Sequence, residues 1–171
     1  MARMPDGAET EDRVPGNAPL LFTPIALRGL SLRNRIVVSP MCQYSSVDGA
    51  PTDWHLVHLG KMASGGAALV FTEETAVEAI GRKTYGCAGI WNDAHVKAYR
   101  RITNFIREQG AIPAIQLGHA GRKAACRPPW ENFRPLTVED AERGMPPWPP
   151  ISSSPLPVSE GAQVPLTMDE A

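Results

Sequence analysis

Met41, Cys42 and Tyr44 set a thioether, a thiol and a phenol close together in the chain. They follow residues 35–38, RIVV, a short β-branched run that suits a buried parallel strand. Pro40 has no N–H to offer a neighbouring strand, so it ends the ladder there. The C-terminal ends of parallel strands are where α/β folds bind ligands. A thiol at such an end can lie beside a redox-active ring and tune it electronically. The plainer alternative is an ordinary loop in which Cys42 packs as a small hydrophobe. Gln116 is a second candidate, near the end of the run AIPAIQL at residues 111–117. Its carboxamide carries a donor and an acceptor, so it can pair with a ring edge presenting both, or equally satisfy nearby loop backbone. The turns around Ser39, Pro40 and Met41, and around Glu74, could offer backbone groups to the same ligand.

Such a site needs three strands ending on one side. Residues 21–35 hold two short alternating pieces around Arg28 and Gly29, which predicts a β-hairpin feeding the strand before Cys42. Thr52 or Asp53 then caps a helix with Leu56, Leu59, Met62 and Ala63 at helical spacing, stopped by Gly65 and Gly66. The run AALVFT, residues 67–72, has the length of a buried strand and leads into Glu73 and Glu74. Residues 76–91 are Gly-rich and read as a loop with a short hairpin. Asn92 or Asp93 caps the second helix, with a stripe of Val96, Tyr99, Ile102 and Ile106 and a stop at Gly110. Residues 111–117 form the third strand, with Pro113 tolerated near its start.

The order hairpin, β, α, β, α, β, with strand starts about thirty to forty-five residues apart, is that of crossover units. It predicts a parallel sheet covered by helices through right-handed connections, which brings Cys42, Glu74 and Gln116 to one face. Residues 127–165 break the pattern with paired prolines and one expected helical turn over residues 137–142. A long segment of this kind is a functional lid or is disordered. Residues 167–170, TMDE, read as a capping box opening another helix.

The chain has 171 residues and a net charge of −1, enough for one core and no electrostatic case for nucleic acid or an acidic membrane surface. No apolar run reaches the length of a membrane span, and the N-terminus lacks the apolar core of a signal peptide. Residues 1–19 are polar and aperiodic, and are expected to be a disordered leader. Cys42, Cys87 and Cys126 are three widely spaced thiols, which suits a reducing compartment, by default the cytoplasm.

SPMCQYS, TDWHLVHLGKMASGGAALVFTEETAV, GRKTYGCAGIW and AIQLGHAGRKA occur in this order. Together they resemble the N-terminal half of the Old Yellow Enzyme family, closest to its xenobiotic-reductase-like bacterial subgroup, from about residue 20 onward. The resemblance implies an α/β fold, a (β/α)8 TIM barrel of which residues 20–171 supply the hairpin and about the first three βα units. It implies FMN at the C-terminal strand ends, with Ser39, Pro40, Met41 and Glu74 contributing through the backbone and Gln116 pairing with the pyrimidine side. Cys42 would then lie at the reactive edge, and Tyr44 would line the substrate pocket. Glu74 stands where relatives commonly have alanine. The implied reaction passes a hydride from NADH or NADPH through FMN to an activated alkene, in a protein that often forms homo-oligomers. The substrate-holding histidine pair and the phosphate site of the family belong to later strands.

Three rivals remain open on the residues alone. His55, His58 and His119 with the cysteines could make a metal set, although no Cys-x-x-Cys or His-Glu-x-x-His is present. Cys42 with His119 could serve a hydrolase, without an evident third residue. A non-catalytic fragment, or a split half-barrel needing a complementary chain, is the third.

Overall fold

The computed structural model describes residues 19–169. The expected leader, apart from Pro19, and the Glu170 end of the expected capping box lie outside the described residues.

Strands β1 (Ile25–Leu27) and β2 (Leu30–Leu32) form the expected antiparallel hairpin, with Leu27 opposite Leu30. The turn falls at Arg28, whose φ of 52° is left-handed. The chain continues through β3 (Val37–Val38), α1 (Asp53–Ser64), β4 (Leu69–Ala76), β5 (Ala88–Gly89), α2 (Asp93–Glu108) and β6 (Ile112–Gly118). β4 is the centre of the sheet, and β3, β5 and β6 all run parallel to it. β6 follows one edge of β4 from Leu69 to Ala76. β3 and β5 must therefore share the other edge, β3 at Leu69 and Val70 and β5 at Thr75 and Ala76. The expected hairpin before Trp91 is thus corrected: that segment returns to the sheet as a short parallel strand. A parallel return needs the chain to reverse twice, and the connecting residues 77–87, with a 3₁₀ turn at Ala79–Gly81, do this.

The two faces of the sheet are filled differently. Val70 and Ala111 pack with Leu59 and Ala63 of α1 and with Ile102 and Ile106 of α2. On the opposite face Leu69, Phe71, Ile112 and Ala114 cluster with Leu32 and Ile25 of the hairpin. The hairpin therefore plugs the face away from the helices, at the N-terminal half of the strands. Residues alternate between the faces as a pleated strand requires.

Both helices begin as the sequence indicates. The Thr52 side chain caps α1 in a reciprocal box with His55, and Asn92 accepts the His95 N–H to cap α2. One stripe member is corrected. Val96 is 41% exposed, and the buried position falls to His95, whose ring meets Trp91 edge-on at 4.4 Å.

Residues 127–165 make defined contacts with the body. The expected turn is a 3₁₀ helix over Val138–Arg143, capped by Thr137. Asp140 is fully buried there; it accepts the Thr137 N–H at 2.9 Å and pairs with Arg127 at 3.0 Å. Tyr85 donates to Pro146 O at 2.6 Å, and Trp148 Nε1 donates to Ile80 O at 2.8 Å. These bonds fasten the segment to the loop beyond β4.

The Thr137 backbone N–H, followed by the Arg127 guanidinium, holds the Asp140 carboxyl below its usual pKa. A depressed carboxyl contributes stability above its unfolded pKa of about 4 and loses it as pH falls through the folded value. We therefore expect hydrogen exchange in residues 135–145 to be flat with pH from 7 to about 5 after correction for intrinsic rates. Below about pH 4 it should rise ahead of the helices.

Candidate functional site

The site is built on an irregularity in β4. Phe71 pairs with Ala114, but Glu74 pairs with Gln116, so β4 carries one more residue than β6 between these rungs. Such a bulge changes which way the following side chains point. Before it, Phe71 shares the hairpin-side row with Ile112 and Ala114. After it, Glu74 and Gln116 lie in that same row, while Glu73 turns into the body of the protein.

Glu73 is 3% exposed. Its Oε1 lies 2.9 Å from His55 Nε2, and its Oε2 accepts the Gln43 N–H at 3.1 Å. Since His55 Nδ1 accepts the Thr52 N–H at 2.9 Å, the ring proton sits on Nε2 and is given to Glu73. His55 is thereby committed on both nitrogens. His119 is likewise engaged, accepting the Gly121 N–H at Nδ1 and facing Glu78 from Nε2 at 2.9 Å, which leaves no nitrogen for a hydrolase role. Among the described residues no three His, Cys, Asp or Glu side chains gather as metal ligands. From the residues alone His55 is a possible metal ligand and Glu73 the end of a strand. The signal that joins them is a carboxylate placed one residue beyond an otherwise apolar buried run.

The Gln43 bond pins the loop after β3, and with it Cys42. The thiol is half-buried. Burial, followed by the Glu73 charge, pushes its pKa up to about 11, against which the nearby Glu74 backbone acts weakly. Cys42 and Glu74 share a narrow crevice with Gly81, Arg82 and Cys87. The Glu74 side chain lies across Gly118, where an added Cβ would fall 2.5 Å from Oε1. Gln116 is exposed, and its carboxamide has no protein partner among the described residues. Ser39 and Met41 are exposed and Pro40 half-buried. The structure thus brings all the candidate positions to the C-terminal edge of one parallel sheet.

Tyr44 takes the left-handed conformation with φ 52°. Burial and the neighbouring Cys42 thiol raise its pKa to about 12. Trp130 and Phe133 of the proline-rich segment each meet its ring edge-on with centroids 6.1 Å away. Nothing local in the sequence links residue 44 to residues 130–133. Arg82 likewise has no local signal. Its guanidinium is buried among Trp91, Tyr85 and Trp148 at 5.1 to 5.6 Å from the ring centroids. This cation–π arrangement supplements the ion pair with Asp48, which lies 3.5 Å away and is 86% exposed. A larger hollow between α1 and α2, bounded by the Asp53–Arg101 pair, lies on the helix face and away from these groups.

The thiolate is the reactive form of cysteine. Alkylation of Cys42 by iodoacetamide, followed by peptide mass spectrometry, should therefore be slow at pH 8 and keep rising toward about pH 11. An unburied thiol would reach half its maximal rate near pH 8.5 and level off by about pH 10. Among the described residues no helix is long and apolar enough to cross a membrane.

The model of the NADH:flavin oxidoreductase / NADH oxidase family matches residues 20–138. An NADH:flavin oxidoreductase of Gibberella zeae is 43% identical over 120 residues, covering 70% of this chain and 29% of the relative. An NADPH dehydrogenase of Bacillus cytotoxicus is 49% identical over 106 residues, covering 61% and 31%. The chain therefore spans about a third of the length of the curated relatives it matches. Among solved structures, morphinone reductase in complex with tetrahydroNAD superposes with a TM-score of 0.64 at 28% identity, over 85% of this chain and 35% of that one. Old Yellow Enzyme from Pichia sp. AKU4542 does so with 0.66 at 26%, over 82% and 33%. The solved relatives are (β/α)8 barrels, and the parallel sheet with its hairpin is part of that fold.

Proposed function

The chain belongs to the NADH:flavin oxidoreductase / NADH oxidase family, and on that premise we propose that it supplies one wall of an FMN site in an ene-reductase-type enzyme. The observation that carries the reading is the row formed by Glu74 and Gln116 beside the Cys42 thiol, at the strand ends of a parallel sheet. The residues fit the cofactor. Gln116 offers a free donor and acceptor to a ring edge carrying an imide. The backbone at Ser39, Pro40, Met41 and Glu74 borders the same edge, and Cys42 remains a neutral thiol there. When bound, FMN supplies hydride transfer between NADH or NADPH and an activated alkene such as an enone. The protein's part is to bind, orient and tune. Cys42 sets the polarity beside the ring, and Tyr44, with its phenol kept protonated, lines the space for the alkene.

The rest of the barrel would continue from β6. Ile115 and Leu117, on the helix side, are 37% and 60% exposed where no helix covers them, and the outer edge of β6 has no partner strand among the described residues. A further helix and strand would satisfy both. The same feature suits a half-barrel completed by a second chain or a second copy. The three free thiols accord with the cytoplasm. The test is NADPH or NADH consumption, with FMN present, on addition of 2-cyclohexenone. Enone-dependent oxidation that falls in Cys42→Ala supports the reading, and oxidation indifferent to the enone contradicts it.

A further inference from the structure

We propose that the cleft between Lys83 and Lys123 binds the anionic end of an organic ligand, a phosphate ester or a carboxylate, whose other end reaches Tyr44. The cleft has a volume of about 330 Å³ and is lined by Lys83, Lys123, Cys126, Phe133, Val158 and Ser159. That is within the range of small-molecule sites, which combine apolar walls with a few polar groups. Neither lysine has an ion pair among the described residues. Lys83 Nζ lies over the Phe133 ring at 5.5 Å from its centroid, so its partner on this side is an aromatic face. Two cations left without counter-charges on one apolar cleft are suited to an anion that carries a flat body.

The walls are held by backbone. Cys126 N–H donates to Lys83 O at 2.7 Å and Leu136 N–H to Ala125 O at 2.8 Å, and Cys126 forms a bridge with Pro135. They are also strained. Ala125, Asn132 and Phe133 have φ values of 57°, 62° and 51°, and Tyr44, which meets Phe133 edge-on, has 52°. Left-handed backbone is easily adopted by asparagine but costly for alanine, tyrosine and phenylalanine. Such residues gather at ligand clamps, where the surrounding structure over-determines them. Here they turn the Phe133 ring toward both Lys83 and Tyr44, which links the cleft to the Cys42 crevice.

This deepens the preceding reading, on which its assignment of the Tyr44 end rests, by naming the charge of the ligand's far end. The full chain is titrated calorimetrically, without flavin, with NADP⁺, NAD⁺, trans-cinnamate and neutral cinnamamide, as wild type, Lys83→Met, Lys123→Met and Lys83→Arg. A charged hydrogen bond lost at a bound anion corresponds to a weakening of about tenfold or more. A loss of that size in either methionine variant, restored by Lys83→Arg at position 83, is the expected result. Seen with NADP⁺ and not NAD⁺, it identifies a phosphate monoester; seen with both, the diphosphate ester they share; seen with cinnamate and not cinnamamide, a carboxylate. Equal binding by all variants, or no binding of any anion to wild type, overturns the proposal. Lysine-dependent anion binding in a chain that takes up no FMN would retain this cleft and refute the Cys42 reading. FMN uptake with lysine-independent anion binding would do the reverse.

Discussion

Replacing His55 by alanine is expected to destabilise the protein by about 3–5 kcal/mol, the usual cost of stranding a buried charge. The ring takes the Thr52 N–H on Nδ1 and gives its Nε2 proton to Glu73 across 2.9 Å. Without it the Glu73 carboxylate, 3% exposed, keeps only the Gln43 N–H. The substitution also removes the His55 half of the box at the start of α1. Urea denaturation followed by circular dichroism measures the loss. Glu73→Gln should cost less, about 1–3 kcal/mol, because a neutral amide can still accept from His55. The double variant His55→Ala/Glu73→Ala should lose less than the sum of its single changes, as residues in one network couple. A His55→Ala loss below about 1 kcal/mol would mean that the pair does not hold the loop carrying Cys42.

Gln116→Leu is expected to weaken FMN binding by about 10- to 100-fold while leaving the fold intact. Leucine has a similar volume but neither donor nor acceptor, and two neutral hydrogen bonds at about 1 kcal/mol each give a loss of that order. Gln116 is exposed, so its replacement should change stability by no more than about 0.5 kcal/mol. Flavin fluorescence quenching measures the first effect and thermal denaturation the second. Equal FMN affinity in wild type and variant would remove Gln116 from the site. A large fall in stability would instead make it a structural residue.

Much of the fold is legible in residue spacing. Thr52 and Asn92 announce the helix starts, Gly66 and Gly110 take the left-handed turns after the helices with φ 101° and 73°, and AALVFT is too short and too apolar for anything but a buried strand. The parallel register then places Cys42, Glu74 and Gln116 together without further information. What spacing hides is long-range. The one-residue bulge between Phe71 and Glu74 decides which glutamate faces the site and which faces His55, and two adjacent identical residues give no local cue to that choice. His95 takes the buried position expected of Val96, where Trp91, held over Gly49 and Gly89, meets its ring edge-on. The proline-rich segment reads as unattached because its fastenings, Trp148 to Ile80 and Tyr85 to Pro146, join residues more than sixty apart.

A direct titration of the chain with FMN tests whether the strand ends carrying Cys42, Glu74 and Gln116 form a wall of a flavin site. Flavin fluorescence and the visible absorption band are followed together, with far-ultraviolet circular dichroism recorded on the same sample. One equivalent of FMN taken up with a shifted band, and weakened by Gln116→Leu, is the predicted result. A folded chain that leaves the fluorescence and the band of FMN unchanged would contradict it.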